Sequence, residues 1–448
     1  MRRILLIVLM AAVLCGTGTA QAAEPGGRAG CQVCGMYIDQ YQHTAAELAY
    51  KDGRHSEACG MACLLRIVQD EGGPDSFTSI MVRDWEGRAL IPAADATYVI
   101  GSRQIPDMMP SIIAFRSREA AQKFIDEQGG ELLDFHQALS AVSPMGMTMP
   151  TRIKAAVLPP KGAFGVGLGY MYMKMDEIKE GSSSKDPDDF VRRPGQNMAP
   201  KEMTTEAEMM MLNFGLTDSL ALGMSLSYLE KEMQMYKMGG SQVQTDNNSG
   251  LGDLGLSLRY NVWRDNYFSR FVTLLAETTF PSGDFDTEWI DTSGLQLGTG
   301  DYTFTGGLLY SQRYSNLWFH GLASYTYKME NNDDYKFGDE TRLGLAMHYT
   351  PNYDWLLGLE LDTLFQGKNE KNGADVGNTG GSRTNLAAVA DWKFLTALGG
   401  NFSLRLTAGL PIYEDLNHFT YGTMEKVQLG GGYFSTVSIN FNRRFQTE

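Results

Sequence analysis

From Ala163 to the C-terminus, apolar residues alternate with small or polar ones at a period of two, and the alternation restarts about twelve times. That period belongs to β-strands with two unlike faces. In the first run, Phe164, Val166, Leu168, Tyr170 and Tyr172 alternate with Gly165, Gly167, Gly169, Met171 and Met173. Later apolar faces include Leu212, Phe214 and Leu216, then Leu254, Leu256, Leu258 and Tyr260, then Leu343, Leu345, Met347 and Tyr349. The opposite faces carry Asp253, Arg259, Glu277, Arg342, Glu360, Asp362, Asp391 and Arg405. A soluble β-sandwich also alternates, but it would leave this charged face to solvent, whereas a barrel turns it into a wet lumen. Short connections, such as Thr217 to Ser219 and Pro351 to Asp354, alternate with long polar ones at Glu177 to Lys201 and Pro281 to Gly298. Short turns on one side and long loops on the other are the pattern of an outer-membrane barrel.

The rest of the chain is consistent with export. Arg2 and Arg3 precede the apolar stretch Ile4 to Leu14, and Ala20-Gln21-Ala22 offers a cleavage site, so residues 1–22 read as a signal peptide. Cys15 is a poor lipidation acceptor, because the bulky Val13 and Leu14 precede it. No apolar run reaches the ~20 residues that a spanning helix needs, and mean hydropathy is −0.25. Net charge is 38 − 53 = −15, which argues against a nucleic-acid partner read through a basic surface.

Residues 31–142 follow a different grammar and predict a small α+β domain, so the chain is multidomain: a periplasmic α+β domain, then an antiparallel transmembrane β-barrel over 162–448. Ser117 to Gln128 has helical spacing and ends at Gly129-Gly130, a capping signal, while Ala96 to Gly101 reads as a strand. Residues 143–161, with Pro144, Pro150, Pro159 and Pro160, read as a linker. After cleavage four cysteines remain, Cys31, Cys34, Cys59 and Cys63. Their spacing alone suits one or two disulfides, Cys31 with Cys34 or Cys59 with Cys63, or a four-thiolate zinc site. Met36, two residues after Cys34, adds a thioether, and thiolate with thioether is a soft donor set that favours Cu(I). Cys59 and Cys63 are four apart, which on a helix would put both sulfurs on one face. His43 and His55 are the histidines near these cysteines, and a lone histidine is more often a surface or core residue.

The order Cys31-Gln-Val-Cys34-Gly-Met36, Cys59-Gly-Met-Ala-Cys63, Ala96-Thr-Tyr-Val-Ile-Gly-Ser102 and Pro106-Asp-Met-Met-Pro110 resembles the NosL family, copper(I)-binding accessory proteins associated with maturation of nitrous oxide reductase. The resemblance implies that Cys34 and Met36 bind Cu(I), with Met109 or Met108 as third ligand. This chain has Asp107 after Pro106 where the family has methionine, which leaves both open. The glycine-rich runs Gly250-Leu-Gly-Asp-Leu-Gly255 and Gly298-Thr-Gly-Asp-Tyr302, with Phe280-Pro-Ser-Gly-Asp284, resemble the outer-membrane transporter family of phenol-degradation operons, the MetA-pathway family. That resemblance implies a pore-like barrel of poorly defined substrate. No strand-turn-helix follows these glycines, so they form no phosphate cradle.

Methionine is unusually abundant: 25 residues, of which fifteen lie between Met145 and Met238. By strand parity Met171, Met173, Met175, Met209, Met211, Met233 and Met235 oppose the apolar faces and are expected to point into the lumen near its outer mouth. There they could relay copper, since thioethers hold Cu(I) weakly enough to release it; the competing reading is adaptable space-filling. No nucleophile or acid-base motif appears, so a non-enzyme is expected. The leading expectation is an outer-membrane protein that captures copper in the periplasm and passes or sequesters it, its partners being copper ion, outer-membrane lipid and a periplasmic cuproenzyme or copper donor. The alternatives are a membrane-anchored chaperone for nitrous oxide reductase or another cuproenzyme, and a periplasmic thiol redox protein using Cys31 and Cys34.

Overall fold

The computed structural model describes residues 29–34, 36–71, 73–107, 110–142, 152–265, 269–286, 294–314, 316–351, 354–397 and 400–444. The expected signal peptide, Met108 and Met109 lie outside the described residues.

In the N-terminal domain, β1 (Ala46–Tyr50), β2 (His55–Ala58), β3 (Phe77–Arg83) and β4 (Leu90–Pro92) form a sheet in the order β2-β1-β3-β4. A second sheet has the order β6-β5-β7, from β5 (Thr97–Ile100), β6 (Ile112–Phe115) and β7 (Glu131–Leu133). Helix α1 (Met61–Asp70) buries Leu64, Leu65, Ile67 and Val68 against Leu48, Tyr98, Ile100, Ile112 and Leu139. Helix α2 (Arg118–Gln128) starts where Ser117 accepts a hydrogen bond from the Ala120 N–H and stops at Gly129, whose φ of +73° suits glycine. Helix α3 (Phe135–Val142) closes the domain.

Twelve strands then build the barrel: β8 (Ala163–Met175), β9 (Ala199–Thr217), β10 (Leu220–Lys237), β11 (Leu254–Arg264), β12 (Arg270–Phe280), β13 (Thr303–Tyr314), β14 (Leu317–Lys328), β15 (Glu340–Tyr349), β16 (Trp355–Gln366), β17 (Gly381–Ala397), β18 (Gly400–Leu416) and β19 (Tyr433–Arg444). Each pairs antiparallel with the next, and β19 pairs with β8, so no edge is left open. Parity assigns the faces. Phe214, Leu258, Tyr260, Leu345, Met347, Leu359 and Leu410 are exposed on the outer wall, while Arg259, Glu360, Asp362 and Asp391 are buried inside.

The lumen is filled at two levels. Residues 152–160, read from sequence as linker, run inside the barrel from mid-height to the short-turn rim. The Arg152 N–H donates to Glu360 Oε2 at 2.8 Å and its guanidinium pairs with Asp362 at 3.1 Å, while Lys154 pairs with Glu277. The Ala156 N–H donates to Ser311 Oγ at 2.9 Å, and its carbonyl accepts from Thr273 Oγ1 at 2.6 Å. Ile153, Ala156 and Val157 pack on Phe271, Leu275, Leu309, Trp318, Leu322 and Ala346, so this part of the inner wall is apolar. Gly215 is required at the rim: a Cβ there would meet the Pro160 and Pro159 carbonyl oxygens at 2.1 and 2.6 Å.

At the long-loop end, Met203 stands in register between Met175 and Met233 on the neighbouring strands. Ile178, Phe190, Val191, Leu295, Val427 and Leu429 cover them from the loops. The N-terminal domain sits at the opposite, short-turn end, where Arg313 faces Glu131 at 3.5 Å and Asn401 Nδ2 donates to the Gln69 carbonyl at 3.1 Å.

Candidate metal centre

The first two cysteines sit in a tight turn closed by the Cys31 N–H, which donates to the Met36 carbonyl at 2.8 Å. Gly30 and Tyr37 pair across its base. The other two come from the β2–α1 junction. Helix α1 begins at Met61, so Cys59 lies ahead of the helix and only Cys63 lies on it. The expected shared helical face is therefore replaced by a junction that turns Cys59 toward Cys63. Thr44 Oγ1 donates to the Cys59 carbonyl at 2.8 Å and fixes that bend.

All four Sγ atoms lie within 4.8 Å of one another. Cys34 Sγ is 3.5 Å from Cys59 Sγ, which is 3.7 Å from Cys63 Sγ. All four are free thiols, so neither disulfide considered from spacing is formed; Cys31, Cys59 and Cys63 are buried and Cys34 is half-buried. Thiolates sharing one metal at about 2.3 Å would stand roughly 3.8 Å apart in a tetrahedron, close to the separations seen here. The donor set fits a thiophilic ion. The cluster also shares its protons: Cys31, hydrogen-bonded by the Cys59 and Cys63 thiols, is held far below the ordinary thiol range. Those two are pushed above it, chiefly by the same hydrogen bonds to Cys31.

Met36 is half-buried and packs against the same core as Cys34. The loop before Met108 reaches the site, because a Cβ on Gly60 would lie 1.7 Å from Asp107 Oδ2; glycine there lets the loop close over Cys59. His55 is exposed on β2, and His43 packs edge-on to Trp85 at 6.1 Å. The Cys31–Cys34 turn is followed by a short 3-10 turn, Ile38–Tyr41, and not by the α-helix that activates a thioredoxin-type dithiol.

In the barrel the seven expected lumen methionines separate into groups. Met175, Met233 and Met235 join the apolar cap at the long-loop end, where Gly294 lies against Met203 and Met233. Met211 lines a lumen cavity of about 360 Å³ beside Arg152, Lys154 and Arg405, and Met209 lies against Gly169. Met171 and Met173 are half-buried on β8 between these levels. Met203 was missed from sequence, since the stretch ending at Lys201 reads as loop although β9 already starts at Ala199.

Residues 22–142 match the NosL family and residues 202–414 match the family of the MetA pathway of phenol degradation. No curated protein matches the chain. Among solved structures, an outer-membrane channel from Pseudomonas putida F1 is 16% identical and covers 64% of this chain and 96% of its own, with a TM-score of 0.44. The copper chaperone NosL from Shewanella denitrificans is 26% identical over 27% of this chain and 94% of its own, TM-score 0.22. A Pseudomonas aeruginosa FadL homologue is 9% identical over 67% and 96%, TM-score 0.33. The chain thus joins a NosL-like periplasmic domain, over residues 22–142, to an outer-membrane β-barrel that matches the phenol-degradation family over residues 202–414.

Proposed function

We propose that the protein handles copper at the outer membrane: the periplasmic domain captures Cu(I) on Cys34 and Met36 with Cys31, Cys59 and Cys63, and the barrel passes or sequesters the ion. The observation that carries this reading is the convergence of four free thiols beside a methionine, in a segment that matches a family whose solved member is named a copper chaperone. Met108 and Met109 remain the candidates for an additional thioether. The lumen methionines Met171, Met173, Met175, Met209, Met211, Met233 and Met235 serve as the relay in this reading. Met211, beside open lumen, is the best supported of them. Passage requires residues 152–160 to leave the lumen.

A second reading, a cuproenzyme chaperone anchored by its barrel, is favoured by that same filled lumen. Deleting residues 162–448 while keeping export separates the two. Cuproenzyme activity would survive under the anchor reading, and copper flux would fall under the transport reading.

The primary test is anaerobic Cu(I) titration of the full-length protein in detergent against a chromogenic chelator. One tight, sulfur-ligated site is expected, weakened in Cys34→Ser and in Met36→Leu. Binding of zinc alone, or no competition with the chelator, would return the cysteines to a structural role.

A further inference from the structure

Two histidines stand side by side on the inner wall near the short-turn end. His320 lies on β14 and His348 on the neighbouring β15, both almost wholly buried, with ring centroids 5.1 Å apart and planes inclined by 58°. One nitrogen of each ring is already engaged: His320 Nδ1 is 2.7 Å from Ser311 Oγ, and His348 Nε2 is 3.3 Å from Glu360 Oε1. The other nitrogen of each, His320 Nε2 and His348 Nδ1, is buried with no hydrogen-bond partner. Burying a polar atom without a partner is costly, so two on adjacent rings point to something held between them.

From these nitrogens we infer a second metal site, for a late first-row cation such as Cu(I) or Zn(II), held by His320 Nε2 and His348 Nδ1. The spacing fits. A metal about 2.0 Å from each nitrogen sits about 3.2 Å from each ring centroid, and a tetrahedral angle between two such ligands separates the centroids by about 5.1 Å. Linear coordination would instead need about 6.3 Å by the same bond length. The tautomer fits as well. A carboxylate at His348 Nε2 holds the proton there and leaves the lone pair on Nδ1, the carboxylate–histidine–metal arrangement. On His320 a proton at Nδ1 directed to Ser311 leaves Nε2 free to coordinate.

Both rings are held in place. Trp318 stacks parallel to His320 within 3°, at 6.0 Å. Gly358, opposite His348 in the sheet, makes room for that ring, since a Cβ would lie 2.3 Å from its Cδ2. The site also touches the lumen segment through the groups that hold the two rings: Ser311 accepts from Ala156 N–H and Glu360 accepts from Arg152 N–H. Occupancy of the histidine pair and seating of residues 152–160 therefore share two hydrogen-bond acceptors. Imidazole binds borderline cations, in contrast to the sulfur set of the periplasmic domain, so this site stands or falls independently of the cysteine centre.

The test uses full-length protein in detergent micelles, loaded anaerobically with Cu(I) alone and, separately, with Zn(II) alone, then washed and read by metal content and X-ray absorption. Wild type is expected to retain one equivalent with nitrogen scattering, lost in His320→Phe and in His348→Phe, while any sulfur-ligated equivalent is unchanged. Glu360→Gln, which keeps the side chain's shape, should weaken the nitrogen site by about 10-fold or more; folding of every variant is checked by heat-modifiable migration. A nitrogen-ligated equivalent without a sulfur-ligated one would sustain this site and overturn the cysteine reading. Equal metal content in wild type and histidine variants, without nitrogen scattering, would overturn it and leave a bridging water between the rings.

Discussion

The two ends of the lumen are built from residues of the same parity, yet they are filled by different chemistry. At the long-loop end Met175, Met203, Met233 and Met235 meet Phe190, Leu295 and Leu429 in an apolar cap. From mid-height down to the short-turn end the filler is a chain segment instead: Arg152 and Lys154 seat on the charges of Asp362 and Glu277, and Ile153 and Val157 add an apolar shelf. Inward parity therefore says which residues face inside, and only the covering segment says whether they are dry. Methionines under an apolar cover are well placed to fill space; Met211, beside polar lumen, is better placed to meet an ion.

The largest effect is expected from removing the charges that seat the inner segment. Arg152→Ala with Lys154→Ala leaves Asp362 and Glu277 without these partners. Stranding a buried charge costs about 3–5 kcal/mol, reduced here because Arg342 still reaches Asp362 at 3.6 Å. The segment should leave the lumen, and conductance in planar bilayers should rise from a low wild-type level; unchanged conductance would mean that the segment does not close the pore. At the other end Met203→Ala should cost about 2–3 kcal/mol through the cavity it leaves, read as faster proteolysis of the loop around Leu295, with the inner segment unaffected.

A smaller effect is expected in the periplasmic domain. Burial raises the hydroxyl pKa of Tyr98 above its usual 10.0, and its O–H donates to the Ala93 carbonyl at 2.6 Å. Because the folded value is the higher one, this stabilisation is complete below pH 10 and declines as pH climbs toward the raised value. Tyr98→Phe should cost about 1 kcal/mol near neutral pH and flatten the alkaline part of the melting curve against pH. Met→Leu changes at Met171, Met173 and Met211 conserve volume and should leave the fold intact with little loss of stability. If these residues relay copper, flux falls while the fold persists; if they only fill space, flux is unchanged.

The barrel was legible because a period of two is a strong, repeated signal, and Leu343, Leu345 and Met347 do face outward as their parity requires. The grouping of four cysteines was legible as composition, whereas their geometry depended on where α1 begins. The inner segment was not legible: Pro159 and Pro160 suggest linker, although Ala155-Ala156-Val157-Leu158 just before them is an apolar run that a solvated linker has no use for. His320 and His348 escaped because their partners, Ser311 and Glu360, lie on adjacent strands and cannot be paired without the register.

The course of the inner segment has a mechanical consequence. It descends to Pro160 at the same rim on which the periplasmic domain rests, so it lies in the barrel as a finger entering from one side. A finger can be withdrawn without opening the seam between Ala163–Met175 and Tyr433–Arg444. Tension on the domain along the barrel axis would break the bonds at Arg152 and Ala156 one after another, as in unzipping, and the hydrogen bonds between the wall strands need not open.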